Sequence, residues 1–311
     1  MNVSVIIVTY NGMKWIGRTI SSLLKSSINM QIIIVDNNSI DGTIDYLSSL
    51  ENHVNIKVFT NKKNLGFGKA NNIGIKKALE QGADYVFLLN QDVYIKKDTI
   101  TKLLKASKEN SDFGILSPVH FNGEGDELDY TFSDCISHRK NKRIFRDAIL
   151  GELKSTYEVP FVNAAAWFIS STTIKKIGGF DSLFSHYGED HNYIQRLKYF
   201  RYKIGVVTDS FIYHDREERE KLRVKDYSTQ HKENHVRWIM ITLADINKDD
   251  FDSIFAQEKS YLLKAILKHA ILFKGKELKW SLDMLLTLKG IRSELVRSRE
   301  INKQSGLNHL G

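Results

Sequence analysis

Three clusters of polar residues stand where apolar runs of this chain end. Thr9, Tyr10 and Asn11 follow the run that begins at Val3. Asp36, Asn37, Asn38 and Ser39 follow Ile32–Val35, and Asn90, Gln91 and Asp92 follow Tyr85–Leu89. In open α/β sheets, ligands bind at the carboxyl ends of the strands, so an Asp at position 92 is placed to hold a cation or a phosphate. A second use is open to it: capping the helix expected to start near Asp98.

The elements that must position these residues alternate regularly. Val3–Tyr10 is a strand, and Ile16, Ile20, Leu23 and Leu24 give the next segment a helical stripe. Asp41 is suited to cap a helix through Ile44 and Leu47. A third strand, Ile56–Thr60, precedes Gly66-Phe67-Gly68, which opens a helix to about Gln81. After Tyr85–Val93 come a helix through Ile100, Leu103 and Leu104 and a strand at Phe113–Phe121. Residues 122–156 are polar, contain a basic run at Arg139–Arg143, and are expected to form a long loop with weak elements, a lid over the site. Strands are expected again at Val159–Ser170 and Ile204–Tyr213, the latter ending at His214. Such alternation points to an α/β fold with a Rossmann-like, mostly parallel central sheet flanked by helices. Polar clusters at successive strand ends share one edge of that sheet, where a nucleotide crevice forms. The Gly66–Asn71 segment starts as G-x-G but has Asn at its sixth position and follows the third strand, which argues against a dinucleotide site. No phosphate-binding G-x-x-x-x-G-K-[S/T] loop is present.

At 311 residues the chain exceeds one typical domain of ~150 residues, so a large domain with an appendage is expected. Cys135 is the sole cysteine, which excludes an internal disulfide and multi-thiolate zinc sites. The N-terminus lacks a basic region followed by an apolar one, and no apolar run reaches the ~18–20 residues that span a bilayer. A soluble cytoplasmic protein is expected. The net charge of +8 lies mostly beyond residue 220, where the excess is +6 against +2 before it. That part also loses its strand signal and carries two helical stripes. One is Leu262, Ile266, Ala270 and Phe273; the other is Trp280, Met284, Leu288, Ile291 and Leu295. Packing on the main domain or on each other is one account of these stripes, and an in-plane helix at a membrane is the other. Lysines intermixed with acids, and no recognised binding motif, argue against a nucleic-acid partner.

The opening VIIVTYN, the VDNNSIDGT segment at Val35–Thr43, Asn64–Gly74, Asn90–Asp92, Gly188-Glu189-Asp190 through Arg196, and His214 occur in this order over roughly residues 1–220. In that order they resemble the inverting family-2 glycosyltransferases of the GT-A fold, most closely the rhamnosyltransferase-type enzymes of bacterial surface polysaccharides. The resemblance implies a catalytic domain at 1–220 and a basic, mainly helical region at 221–311. It implies a sugar, rhamnose or another hexose, moved from a nucleotide-diphosphate donor to a glycan or lipid-linked oligosaccharide acceptor. Peripheral contact with the inner membrane face would suit such an acceptor.

Carried over position by position, Asp36 would accept from a pyrimidine N–H, with Thr9, Tyr10, Asn11 and Asn38 beside it. A capping turn is the alternative for Asp36. Gly66, Phe67 and Asn71 would line the donor, together with Asn90, Gln91 and Arg196. The family's D-x-D reads Asn90-Gln91-Asp92 here, so one carboxylate is missing. Asp92, with His214, would hold a divalent cation, Mn²⁺ or Mg²⁺. Asp190, beside Glu189, would be the base for the acceptor hydroxyl. Asn192 replaces a second Asp of that motif. The two losses leave a second function open, an idle scaffold that binds nucleotide sugar or glycan without turnover.

Overall fold

The computed structural model describes residues 1–50, 52–185, 187–216 and 224–311. A single sheet organises them. Its strands are β1 (Val3–Thr9), β2 (Gln31–Asp36), β3 (Ile56–Thr60), β4 (Tyr85–Asn90), β5 (Val93–Ile95), β6 (Phe113–Asn122), β7 (Thr156–Glu158), β8 (Ala166–Ser170) and β9 (Lys203–His214). They lie in the order β3-β2-β1-β4-β8-β6-β9-β5, with β7 also paired to β9. The first four are mutually parallel, whereas β8 runs against both β4 and β6. The sheet is therefore mixed, with its parallel half carrying the polar strand ends.

Period-two alternation splits the strand residues between two apolar layers. Ile6, Ile33 and Leu88 face one layer, where α3 (Phe67–Glu80), α7 (Ser171–Ile177) and α8 (Glu189–Tyr199) pack. Val5, Ile7, Ile32 and Phe87 face the other, against α1 (Ile16–Leu24) and α4 (Thr99–Glu109). Both faces are covered, which is why these strands read as unbroken hydrophobic runs. The short α2 (Thr43–Ser48) links β2 to β3.

Two expectations for the middle of the chain need correction. Residues 122–156 are not an open loop: they form α5 (Tyr130–Cys135) and α6 (Lys142–Leu150), capped by Asp129 and Asn141 side chains. Phe132 and Ile144 anchor them to the first layer. Strand structure also begins only at Ala166; Val159–Ala165 is irregular, with Val159 and Val162 buried as plugs in the same layer.

Beyond Val224 the chain forms α9 (Thr229–Leu243), α10 (Phe251–Ile271) and α11 (Gly275–Asn302). The expected boundary at 220/221 lies outside the described residues. Trp280, Met284, Leu288 and Leu295 of α11 pack with Leu262, Phe255 and Ile239 into a third apolar cluster, which also takes in Phe184. The other stripe is corrected: Phe273 is 95% exposed and Ala270 is exposed, because the buried face of α10 runs through Phe255, Leu262 and His269 instead. Among the described residues no helix is long and apolar enough to cross a membrane.

The last residues return to the sheet. Leu310 enters the first apolar layer, and the buried Asp181 carboxylate accepts from Ser298 Oγ at 2.5 Å and Asn302 Nδ2 at 2.7 Å. Its other oxygen accepts from Leu183 N at 2.9 Å. Burial opposes ionisation of Asp181, but His309 and these donors outweigh it and lower its pKa. Asp181→Ala leaves those donors unpaired inside the protein, so we expect a loss of about 3 kcal/mol in unfolding free energy, read from the urea midpoint.

Candidate active site

The strand ends of the parallel half are stitched together by side chains. Gln91 Oε1 accepts from Thr9 Oγ1 at 2.7 Å and from Tyr10 N at 2.9 Å, and its Nε2 donates to Tyr10 O. Asn11 N donates to Ser39 Oγ, and Asn11 Oδ1 accepts from Ile40 N. Asn37 Oδ1 accepts from Asn61 Nδ2 and Leu65 N, while its Nδ2 donates to Gly66 O. These bonds fix the loops after β1, β2 and β4 and the start of α3 as one edge, with Tyr10 (45% exposed) and Asn38 facing solvent along it. Gln91 and Thr9 frame that edge. The sequence places Asn37 and Ser39 on this edge but not their partners, which lie in other loops.

Three of the expected donor residues are buried in this structure. Asp36 is fully buried and each of its oxygens accepts once from Ser39, from N at 2.9 Å and Oγ at 2.5 Å, which caps the loop. Arg196 is fully buried too, its guanidinium donating to Ile177 O at 3.0 Å and Gly179 O at 2.5 Å. It holds α8 against the turn after α7. Asn71 is 2% exposed and donates to Phe67 O within its own helix.

Asp92 and His214 are brought together by register. Val93 pairs with His214 across the antiparallel β5–β9 contact, and Asp215 N donates to Asp92 O at 2.8 Å. Asp92 Oδ1 thus lies 3.4 Å from His214 Nε2, and Asp129 Oδ2 lies 3.4 Å from the opposite ring nitrogen. Asp129, held in turn by Arg216, orients the ring as carboxylates do for metal-bound histidines. Burial opposes protonation of His214, but Asp129 and Asp92 raise its pKa nonetheless. Among the described residues, no hydrogen-bond donor reaches the buried Asp92 Oδ1. A hard divalent cation suits that oxygen and an imidazole nitrogen beside it, so the residues fit the expected metal. Among the described residues no third His, Cys, Asp or Glu completes a cage. Phosphate oxygens of a donor would have to supply the remaining ligands. Asp129 and Arg216 were invisible to sequence reasoning, since they act through a ring that only the fold brings near.

The start of α8 is the other half of the site. Asp190 Oδ1 accepts from His191 N at 2.7 Å and pairs with His191 Nδ1 at 3.0 Å. His191 packs on Phe161, ring centroids 4.2 Å apart. Both rings line a cleft of about 700 Å³ with Asn163, Ile194, Lys140 and Lys198. Asn192 faces inward and is fully buried, so its replacement of an Asp alters the interior of α8, not a surface the acceptor could touch. The start of α8 and the segment before it also abut the glycine loop. A Cβ added at Gly66, whose φ is +83°, would lie 2.2 Å from Ser185 O, and one at Gly68 would lie 3.7 Å from Glu189 Cβ. Glycine is required at 66 both for its backbone angle and for that approach.

Burial pushes the Glu189 carboxyl up to about 7, and the adjacent Asp190 adds to the rise. Its folded pKa lies above the unfolded value of 4.5, so the stability it contributes is present below pH 4.5 and is lost as pH climbs through 7. Glu189→Gln cannot ionise and should be more stable than the parent at pH 8 by on the order of 3 kcal/mol. The gap should close below ~pH 4.5 in urea titrations run at both pH values.

Comparison with known proteins bears on this geometry. Over 130 residues the chain is 31% identical to the poly(ribitol-phosphate) beta-N-acetylglucosaminyltransferase TarS of Staphylococcus aureus, a match spanning 40% of this chain and 22% of TarS. It is 32% identical over 119 residues to the dTDP-rhamnosyl transferase RfbF of Shigella flexneri, 38% of each chain. Among solved structures, residues 1–349 of S. aureus TarS in complex with UDP-GlcNAc superpose with a TM-score of 0.54 at 18% identity, covering 94% of this chain and 92% of that one. GalNAc-T7 with UDP, GalNAc and Mn²⁺ superposes at 0.55 and 16% identity, over 77% and 48%. These likenesses give the fold, which is GT-A. The model of the family described as Glycosyl transferase family 2 matches residues 4–169, more than half of the chain. This chain is a family-2 glycosyltransferase.

Proposed function

We propose that the chain transfers a hexose or deoxyhexose from a nucleotide-diphosphate donor to a hydroxyl of a glycan or lipid-linked glycan, with inversion, in the synthesis of a surface polysaccharide on the cytoplasmic side. The observation that carries this reading is the junction at α8. One turn presents Asp190, borders the cleft through His191, and touches the glycine loop of the strand-end edge through Ser185 and Glu189. A donor bound along that edge and an acceptor in the cleft would meet at this carboxylate. The UDP-sugar complex of TarS and the UDP complex of GalNAc-T7 favour a nucleotide-sugar donor.

In the proposed reaction the acceptor hydroxyl gives its proton to Asp190 as its oxygen bonds to the anomeric carbon. The bond from that carbon to the diphosphate oxygen breaks in the same displacement, so the configuration inverts. A divalent cation on Asp92 and His214 would supply neutralisation of the diphosphate charge. No second carboxylate acid is needed, because the diphosphate leaves without being protonated by the protein, unlike the leaving group in glycoside hydrolysis. Tyr10, exposed at the end of β1, is placed to stack on the base. Phe161 offers the acceptor an apolar face within the cleft.

Asp190→Asn should reduce transfer by about 10²–10⁴-fold, the span of general-base catalysis, with donor affinity unchanged by calorimetry. Retention of full rate would remove Asp190 as the base. Asp92→Ala should abolish the Mn²⁺-dependent part of the thermal shift that a nucleotide sugar produces, while a shift equal to the parent's would exclude Asp92 as a ligand. Donor binding without turnover in the parent, across a panel of acceptors, would establish the scaffold function instead.

A further inference from the structure

From Lys259 to Lys276 the chain carries five lysines and no Asp or Glu. Within this stretch α10 is apolar on two opposite faces. Leu262 and His269 are buried against the other C-terminal helices, whereas Leu263, Leu267 and Ile271 form an i, i+4, i+8 row open to solvent, at 47%, 63% and 65% exposure. Lys264 and Lys268 flank that row and share a shallow groove with Leu267, Ile271 and Leu272. The helix then ends at an exposed apolar tip, Leu272-Phe273.

The tip is held there against backbone preference. Phe273 has φ +53°, a left-handed conformation that side-chain-bearing residues rarely take. It closes α10, where Phe273 N donates to Ala270 O and Lys274 N donates to His269 O. Glycine ordinarily fills such a position. A phenylalanine there, turned fully to solvent, bears a local strain that no contact within the described residues relieves. An apolar phase outside the protein would offset that cost by burying the ring.

We infer that the outer face of α10, with Phe273 as its wedge, docks on an anionic lipid bilayer surface. Leu267, Ile271 and Phe273 enter the boundary between headgroups and acyl chains, and Lys264, Lys268, Lys274 and Lys276 lie at headgroup level. Charge decides between this partner and a second copy of the chain. A two-fold contact through the same row would set Lys264 and Lys268 against their own counterparts, with no acidic residue in the stretch to receive them. An anionic surface receives all of these lysines at once. This inference does not rest on the sugar-transfer reading.

The test is flotation of the full chain with vesicles of phosphatidylcholine alone or mixed with phosphatidylglycerol. The parent should float with the anionic vesicles only, and less as salt is raised. Substituting Leu267, Ile271 and Phe273 together by Ser should cut the bound fraction about tenfold or more with no drop in melting temperature, since these side chains are exposed. The pair K264E and K268E should lower binding without touching the apolar row. Turnover of a soluble acceptor should be unaffected by either variant, so failure here is distinguishable from failure of the proposed activity. Equal flotation of the parent and the serine variant would overturn the inference, as would equal binding to both vesicle types. A dimer in light scattering that the serine variant dissolves, with no flotation, would also overturn it and assign the face to self-association.

Discussion

A buried imidazole between two carboxylates is the constraint on which the rest of this site depends. His214 is reached from one side by Asp92 and from the other by Asp129, and each contact comes from a different part of the sheet. The β5–β9 register sets the first, and the segment between β6 and α5 sets the second. A one-residue slip in β9 would turn His214 to the opposite face of the sheet and separate all three groups. The same environment accounts for the neighbouring His120. Burial lowers its pKa to about 3, and the proximity of His214 adds to that, so it remains neutral while stacking on Phe132. Two histidines thus sit in one pocket, and the carboxylates favour charge on only one of them.

The helical C-terminal region is built into the catalytic half. Gln195 of α8 donates to Ile241 O of α9, and Asn247 donates back to Gln195 O. Arg299 of α11 binds the carbonyls of Leu243 and Lys248, fixing the turn between α9 and α10. The helix that begins with Glu189 and Asp190 therefore has the sheet on one side and these helices on another. Arg196 anchors its inner face to the Gly178–Gly179 turn. Anything that shifts α9 is felt at Asp190 through this shared packing.

Much of this was legible in the sequence, and the parts that were not share a physical reason. The parallel strands announce themselves because burial on both faces leaves only apolar residues, and the polar residues after them mark the working edge. Asp92 and His214 stand at strand ends and could be paired by resemblance. Asp129 could not: it lies in a polar stretch whose helices are too short to give a periodic signal, and its partner is brought close only by the finished sheet. Asp36 and Arg196 stand at motif positions and make structural bonds there as well. A motif records that a residue type is needed at a position, and a buried cap or a carbonyl clamp needs its residue as strictly as a ligand contact does. On α10, apolar residues occupy two opposite faces, so the stripe through Phe273 could be read from the sequence without revealing which face was inside.

Sheet order also dictates when each half of the site can form. Strands β1, β2 and β3 pair with their neighbours in sequence and could assemble early, whereas β4 joins at β1 across a longer separation. Bringing His214 beside Asp92 must close a loop of roughly 120 residues, a slower event in chain entropy. During folding, the strand-end edge of β1, β2 and β3 could therefore be in place before His214 reaches Asp92, and that pairing would report completion of the last strand.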